Sequence, residues 1–227
     1  MSEATAAVAP AEAAPAAAAH GPAHAPAKDD PWYGGRHPFA IDSKKFGMWL
    51  FIASDSITFA AILFAYTYVR LSDPDWPLVF NAGSVALSTL MTFVLLTSSL
   101  TMVLGVAAAN AGKRKQAALW TFATALGGLA FIVIHAWEWS HVIHGLPEGP
   151  LPLMWCAFFT ATGMHMLHVT VGFFYLTIVG LAYLGGKFKP IDIEVAGLYW
   201  HFVDLVWMFV FPMIYLMSTD MTKGFGH

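Results

Sequence analysis

Five long apolar stretches constrain the fold of this 227-residue chain more than any other feature. About 20 consecutive apolar residues are needed to cross the hydrocarbon layer of a membrane as a helix. Five segments reach that length: residues 46–69, 83–110, 117–143, 153–184 and 195–217. The breaks between them contain Gly, Pro and charged residues, as loops do. The pattern predicts an all-α fold, a polytopic bundle of five transmembrane helices.

The overall composition agrees with a membrane as the solvent. The chain is 58% hydrophobic and only 11% charged, whereas soluble domains carry about 25% charged residues. The net charge of −3 comes without a basic stripe, which excludes a nucleic-acid partner. The single cysteine, Cys156, excludes an internal disulfide. Because its neighbours are apolar, we expect it to be a small buried residue.

The first 28 residues differ from the rest in being mostly Ala and Pro with scattered His. They lack the charged start and apolar core of a signal peptide. Few bulky apolar groups are available to offset the entropy of ordering them. We therefore expect residues 1–35 to be a disordered cytoplasmic extension, in which His20 and His24 are solvated rather than bound to metal. Residues 36–220 are expected to form the membrane domain, and residues 221–227 a short tail.

The distribution of Lys and Arg predicts the orientation of the bundle. Nine of the 11 cationic residues precede the first span or fall in the second and fourth loops: Lys28, Arg36, Lys44, Lys45, Lys113, Arg114, Lys115, Lys187 and Lys189. Cytoplasmic loops carry the excess of Lys and Arg. The N-terminus is therefore predicted to be cytoplasmic and the C-terminus periplasmic, in the inner membrane of a bacterium.

Eight titratable side chains fall within the predicted spans: Asp55, His135, Glu138, His141, His165, His168, His201 and Asp204. Such groups are costly at membrane depth unless they are paired or hydrated, so they face the bundle interior. Several lie three residues apart, which places them on one face of a helix. His201 and Asp204 are the clearest candidates for a local hydrogen-bonded pair.

These residues leave three interpretations open. Glu138 and His141 have the E-x-x-H spacing of di-iron bundles, but such a site needs a second pair and two further Glu. Asp55 and Glu138 also fall at different depths, which disfavours a stand-alone metal or haem enzyme. The sequence has no sign of the paired inverted repeats of transporters. The third interpretation is a static network between helices, around a lipid or beside a partner subunit. A related alternative is a carboxylate that tunes proton entry into a neighbouring subunit.

Four motifs in order resemble the haem–copper terminal oxidase subunit III family. Leu198 to Trp207 (LYWHFVDLVW) resembles the last helix of that family, and Phe158 to Gly172 (FFTATGMHMLHVTVG) resembles the helix before it. Phe46 to Asp55 (FGMWLFIASD) and His135 to Trp139 (HAWEW) are similar to two earlier segments. Together the motifs cover residues 46–217. The family includes subunits of cytochrome c oxidases and quinol oxidases, among them a five-helix bacterial form.

The resemblance implies a non-catalytic subunit of an enzyme complex that reduces oxygen to water and pumps protons. Haem and copper would lie in partner subunits, and this chain would hold no catalytic, metal-binding or cofactor-binding residue. It would stabilise the catalytic subunit and support proton uptake on the cytoplasmic side. The expected partners are oxidase subunit I by direct packing, subunit II, a small subunit IV and membrane phospholipids.

The resemblance also assigns roles to individual residues. Asp55 occupies the place of the family's buried carboxylate, a target of carbodiimides, and His165 and His168 belong to its proton environment. A structural polar network is expected to comprise His135, Glu138, His201 and Asp204. This chain departs from the mitochondrial-type subunit of the family in two respects. That subunit has seven helices rather than five, and it carries Gln where this chain has His135.

Two functional questions remain open at the level of sequence. Five-helix forms also include a homologue associated with nitric oxide reductase, which is the alternative function. The electron donor, cytochrome c or quinol, delivers electrons to other subunits, so no residue of this chain reports on it.

Overall fold

A computed structural model describes residues 42–146, 148–149 and 152–220. These residues form α1 (Ser43–Ser72), α2 (Ala82–Asn110), α3 (Arg114–His144), α4 (Leu153–Leu184) and α5 (Pro190–Val210), followed by a π-helical turn (Phe211–Tyr215) and a 3₁₀ turn (Leu216–Ser218). Five helices in this part of the chain are long and apolar enough to cross a membrane. The predicted all-α, five-helix fold is therefore confirmed. The expectations for residues 1–35, including His20 and His24, and for residues 221–227 lie outside the described residues.

The start of α5 differs most from the sequence prediction. The helix begins at Pro190 rather than near residue 195. Proline fits the first position of a helix because no partner is needed there for an N–H group. The Asp192 carboxylate accepts a hydrogen bond from the Lys189 backbone N–H at 2.8 Å, which caps the helix. Hydropathy alone misses this turn because Asp192 and Glu194 make it polar.

The same acidic residues join α5 to α1. Lys44 Nζ lies 2.7 Å from Asp192 Oδ1, and Lys45 forms an ion pair with Glu194. This end of the bundle also carries the loops after α2 and after α4, with their Lys and Arg residues. We call it the basic end. The opposite end, which carries Ser218, is called the C-terminal end.

Two tryptophans attach α5 to α2 inside the bundle. Trp200 and Trp207 are both fully buried. Trp200 Nε1 donates to Ser98 Oγ at 3.0 Å, and Trp207 Nε1 donates to Thr92 Oγ1 at 2.9 Å. Because the tryptophans are seven residues apart, they lie on one face of the helix, two turns from each other. The two hydrogen bonds therefore fix both the rotation and the depth of α5 against α2.

Glycine makes room for the Trp200 indole between α3 and α4. A Cβ atom at Gly128 of α3 would lie 2.4 Å from Trp200 Cη2, and one at Gly172 of α4 would lie 3.0 Å from Cζ3. Real side chains do not approach so closely without displacement of a neighbour. α3 and α4 can therefore close around α5 only because these two positions lack side chains.

The first helix lies at the periphery of the bundle. Only 6% of the apolar stretch that defines α1 as a membrane span is buried, compared with 50% of the corresponding stretch of α5 and the turns after it. Contacts near both ends hold it. At the basic end these are the lysine ion pairs, and at the C-terminal end Tyr66 Oη and Ser218 Oγ form a hydrogen bond of 2.9 Å. Much of α1 is thus free to contact lipid or another protein.

The structure contradicts one expectation about the cysteine. Cys156 lies on the exposed surface of α4, whereas Phe158, two residues later, is fully buried. The prediction that Cys156 is buried is wrong, because an apolar run in a membrane helix covers the lipid-facing side as well as the interior.

We predict that Gly128→Ala destabilises the protein, because the new methyl group would overlap the Trp200 indole. Overpacking of this kind costs about 1–3 kcal/mol. The loss can be measured as a lower midpoint of thermal unfolding of the purified protein in detergent. Gly47→Ala in α1 is the matched control, because nothing lies within 4 Å of its added Cβ. Equal stability of the two variants would contradict this account of the close approach.

Candidate functional site

The most unusual polar contact at membrane depth joins α1 to α4. His168 Nε2 lies 3.1 Å from Asp55 Oδ2, an ion-pair distance without full hydrogen-bond alignment. Both side chains are largely buried, with exposed fractions of 13% and 12%. Oδ2 has no other partner among the described residues. The His168 imidazole is therefore the group that compensates the Asp55 carboxyl.

The second ring nitrogen of His168 is held by the backbone of its own helix. Nδ1 lies 2.8 Å from the Met164 carbonyl oxygen, which can only accept a hydrogen bond. Nδ1 must then carry a proton. For Nε2 and the Asp55 oxygen to attract each other, a further proton must lie on one of them. An imidazolium facing a carboxylate and a neutral imidazole facing a carboxylic acid would each satisfy this contact.

Aromatic side chains from α1 and α5 enclose this pair. Phe59 of α1 meets the His168 ring edge to face, with centroids 5.0 Å apart. Tyr199 of α5 donates from Oη to the His168 carbonyl oxygen at 3.0 Å. The environment of Asp55 is thus built by three helices, and no sequence pattern predicts the Tyr199 contact.

A second polar cluster lies nearer the C-terminal end. Tyr215 Oη donates to Glu138 Oε2 at 2.9 Å, and His135 Nδ1 lies 3.4 Å from the same oxygen. Glu138 and His135 are buried, with side-chain exposures of 7% and 0%. Tyr215 belongs to the π-helical turn that contains Pro212, and a wider turn accommodates a residue without an N–H group. Nothing local in the sequence predicts that Tyr215 meets Glu138.

His135 of this second cluster and His165 of α4 both lie in the aromatic core. His135 stacks on Phe131, with centroids 5.4 Å apart and planes 10° apart. The His165 ring lies 5.0 Å from the Trp207 ring. His135 and His165 are both completely buried, and none of their four ring nitrogens has a hydrogen-bond partner among the protein atoms described. His165 lies three residues before His168 on α4, and among the described residues no hydrogen bond or ion pair joins its ring to Asp55.

The expected hydrogen bond between His201 and Asp204 is not formed, although the two side chains interact electrostatically. Asp204 Oδ2 accepts a hydrogen bond of 2.6 Å from Ser99 Oγ of α2. Within the described residues, no hydrogen bond or ion pair joins Asp204 to His201. Spacing by three puts both on one face of α5, but the carboxylate is directed at a hydroxyl of the neighbouring helix. Asp204 thus makes an interhelical contact between α5 and α2.

Glu138 and His141, the E-x-x-H pair of α3, are not directed at a common site. Glu138 is directed at Tyr215 in the interior. His141 is exposed, and its Nδ1 lies 2.9 Å from the Trp137 carbonyl oxygen. Across residues 42–146, 148–149 and 152–220, no group of three or more His, Cys, Asp and Glu side chains is arranged to hold a metal ion.

Comparison with known proteins identifies the family of this chain. The family model described as cytochrome c oxidase subunit III matches residues 28–219, which is most of the chain. The chain belongs to the cytochrome c oxidase subunit III family. The resemblance inferred from the four motifs is therefore confirmed. As a family member, the chain is a subunit III of a haem–copper oxidase complex and a multi-pass membrane protein.

Individual relatives of this subunit III come from bacteria. Cytochrome c oxidase subunit 3 of Alkalihalophilus pseudofirmus is 32% identical over 180 residues, which cover 78% of this chain and 87% of the relative. Quinol oxidase subunit 3 of Bacillus subtilis is 30% identical over 175 residues, covering 76% and 86%. Cytochrome bo(3) ubiquinol oxidase subunit 3 of Pseudomonas aeruginosa is 32% identical over 191 residues, covering 80% and 90%. Because both cytochrome c and quinol oxidases are similar to this degree, similarity does not distinguish the electron donor.

For this subunit III we predict that Tyr215→Phe lowers thermal stability by about 1–2 kcal/mol, because Glu138 loses the Tyr215 hydroxyl as a donor in a buried site. The midpoint of thermal unfolding in detergent measures the effect. Tyr68→Phe removes a hydroxyl from an exposed tyrosine of α1 and is the matched control. If both variants unfold at the wild-type temperature, the Tyr215–Glu138 hydrogen bond does not stabilise the bundle.

Proposed function

We propose that this chain is a non-catalytic subunit III that stabilises the catalytic subunit of its oxidase and supports proton uptake on the cytoplasmic side. The observation that carries the proposal is the contact between Asp55 and His168 at membrane depth, where His168 Nε2 lies 3.1 Å from Asp55 Oδ2. In this proposal the haem and copper that reduce oxygen lie in partner subunits. Subunit III acts through packing and through its titratable groups.

The distribution of Lys and Arg supports a role for Asp55 on the cytoplasmic side. The basic end carries Lys44 and Lys45 at the start of α1 and further cations in the loops after α2 and α4. By the positive-inside rule this end faces the cytoplasm and the C-terminal end faces the periplasm. Asp55 lies 12 residues after the start of α1, about 18 Å from the basic end at 1.5 Å per residue. The bacterial relatives favour the inner membrane as the location.

The surface of α1 supports contacts with lipids and with partner subunits. Large apolar side chains are exposed along it, including Trp49, Ile57 and Phe64. Beside them, Phe59, Leu63 and other residues of α1 line a narrow apolar groove with Phe202, Leu205 and Phe209 of α5. A groove of this kind suits a phospholipid acyl chain. The proposed partners are subunit I by direct packing, subunit II, a small subunit IV and membrane phospholipid.

We predict that a hydrophobic carbodiimide labels Asp55 in preference to Glu138 and Asp204. The reagent reacts with carboxyl groups in apolar surroundings, and Asp55 lies on α1, the least buried of the five helices, beside His168. Glu138 is enclosed with Tyr215, and Asp204 accepts a hydrogen bond from Ser99. Mass spectrometry of peptides from the treated oxidase gives the three extents of labelling. Equal labelling of all three would remove the special status of Asp55.

The substitution Asp55→Asn distinguishes a role in proton uptake from a role in redox chemistry. We expect the haem spectra of the variant oxidase to match those of the wild type, because Asp55 lies outside any redox centre in this proposal. Loss of haem absorbance would contradict a non-catalytic subunit.

Removal of the whole subunit tests the stabilising role. We expect the remaining complex to reduce oxygen at first and then to lose activity several-fold sooner during turnover. The measurement is oxygen consumption followed to exhaustion, with and without the subunit. Immediate loss of all activity while the catalytic subunit remains folded would count against this role.

A further inference from the structure

The contact between Asp55 and His168 joins the least buried helix of the bundle to an interior one. Only 6% of the α1 span is buried, compared with 33% of the α4 span. His168 Nε2 and Asp55 Oδ2 are 3.1 Å apart. Because the two residues are on separate helices, this distance depends on the rotation and depth of each helix at this level. The groups that hold α4 in place at His168 therefore determine whether the two side chains meet.

The His168 imidazole is oriented by α4 itself and by one aromatic ring. Its Nδ1 lies 2.8 Å from the Met164 carbonyl oxygen, one turn earlier on the same helix. Phe59 of α1 packs against the imidazole, with ring centroids 5.0 Å apart. With the ring held in this way, the position of Nε2 follows the position of the His168 backbone.

Tyr199 of α5 holds that backbone. Its Oη donates to the His168 carbonyl oxygen at 3.0 Å, and Tyr199 is only 5% exposed. A carbonyl oxygen has two lone pairs, so it can accept this bond in addition to the helical N–H four residues later. The hydrogen bond ties α4 to α5 at the turn that presents His168.

Gly172 gives the Tyr199 ring access to α4. A Cβ atom at Gly172 would lie 3.1 Å from Tyr199 Cε1 and 3.0 Å from Trp200 Cζ3. The two neighbouring rings therefore use the same gap in the surface of α4. Because Trp200 is hydrogen-bonded to Ser98 of α2, this part of α5 is fixed in the interior. Tyr199 thus transmits the position of the most buried helix to His168.

The same tyrosine contacts α1 beside Asp55. The Tyr199 and Phe51 rings have centroids 5.9 Å apart. Phe51 lies four residues before Asp55, on the same face of α1. Tyr199 also interacts electrostatically with Asp55. One side chain thus contacts α4 at His168 and α1 one turn from Asp55.

We propose that Tyr199 is a positioning residue, which holds His168 within reach of Asp55 and so sets the reactivity of the Asp55 carboxyl. The proposal rests on the proposed function, in which that carboxyl supports proton uptake. It goes further in assigning to α5, through the Tyr199 hydroxyl, control over a contact between α1 and α4.

The other titratable side chains of the helices packed against α1 make different contacts. Asp192 and Glu194 pair with lysines of α1 at the basic end, and Asp204 accepts a hydrogen bond from Ser99. Residues 46–69 of α1 contain no acidic or basic residue besides Asp55. Within the described residues, none of the remaining titratable groups of α4 and α5 forms a hydrogen bond or ion pair with Asp55: Cys156, His165, Tyr175, Tyr183, Asp192, Glu194, His201 and Asp204.

The test measures how carbodiimide labelling of Asp55 depends on pH in the whole oxidase, with each variant compared with the wild type at each pH. His168→Gln removes the imidazole and should shift the pH of half-maximal labelling by about one unit, as the loss of a neighbouring titratable group does. Tyr199→Phe removes one hydroxyl and keeps the ring, and it should shift that pH in the same direction. The double variant should shift it no further than His168→Gln alone, because both changes act through one contact.

Tyr175→Phe is the matched control. The Tyr175 ring packs edge to face on Tyr199, with centroids 5.9 Å apart, but the hydrogen bond to His168 comes from Tyr199. Removal of the Tyr175 hydroxyl should therefore leave the pH dependence of Asp55 labelling at the wild-type value. Thermal unfolding of all variants in detergent separates a loss of stability from a change in the site.

The outcomes distinguish the positioning role from the proposed function. If His168→Gln shifts the pH dependence and Tyr199→Phe lowers only thermal stability, the positioning role is overturned and the proposed function stands. An additive shift in the double variant would also overturn it, since Tyr199 would then act on Asp55 directly. A wild-type pH dependence in His168→Gln, or no labelling of Asp55 at any pH, would overturn the proposed function and the positioning role together.

Discussion

Hydrogen bonding inside an apolar solvent is the constraint on which this structure depends. A polar group at membrane depth has no bulk water to bind, so it must find its partner within the bundle. Trp200 and Trp207 meet this requirement through Ser98 and Thr92, and Asp204 meets it through Ser99. All three contacts join α5 to α2. The most buried helix is therefore held in one rotation and at one depth by three bonds to a helix without charged residues.

The position of α5 in turn determines where the buried titratable side chains of α3 and α4 lie. Its Trp207 side chain lies against the rings of both His135 and His165. The π-helical turn after it presents Tyr215 to Glu138, and Tyr199 bonds the backbone of His168. α1 adds Asp55 from the periphery, held by ion pairs at one end of the helix and a hydrogen bond at the other. A static scaffold and a set of proton-binding groups are thus parts of one packing arrangement.

The sequence predicts the helices well because apolar length is a local property, and the family motifs assign the chain correctly. It fails where a partner depends on how helices rotate against each other. The spacing of His201 and Asp204 suggested a local pair, but the nearest donor to Asp204 was a serine on another helix. Tyr215 could not be foreseen, since its position depends on a π-turn around Pro212. Cys156 was misplaced because an apolar neighbourhood in a membrane does not distinguish the interior from the lipid-facing surface.

We propose that this subunit III works without a redox centre of its own, beside subunits that hold haem and copper. Native mass spectrometry of the intact complex, followed by release of each subunit in the gas phase, is the decisive test. We expect a complex with a catalytic subunit that carries haem and copper, from which this chain leaves at the mass of its polypeptide, alone or with phospholipid. Release of this chain with haem or a metal ion attached, or a complex without such a catalytic subunit, would contradict it.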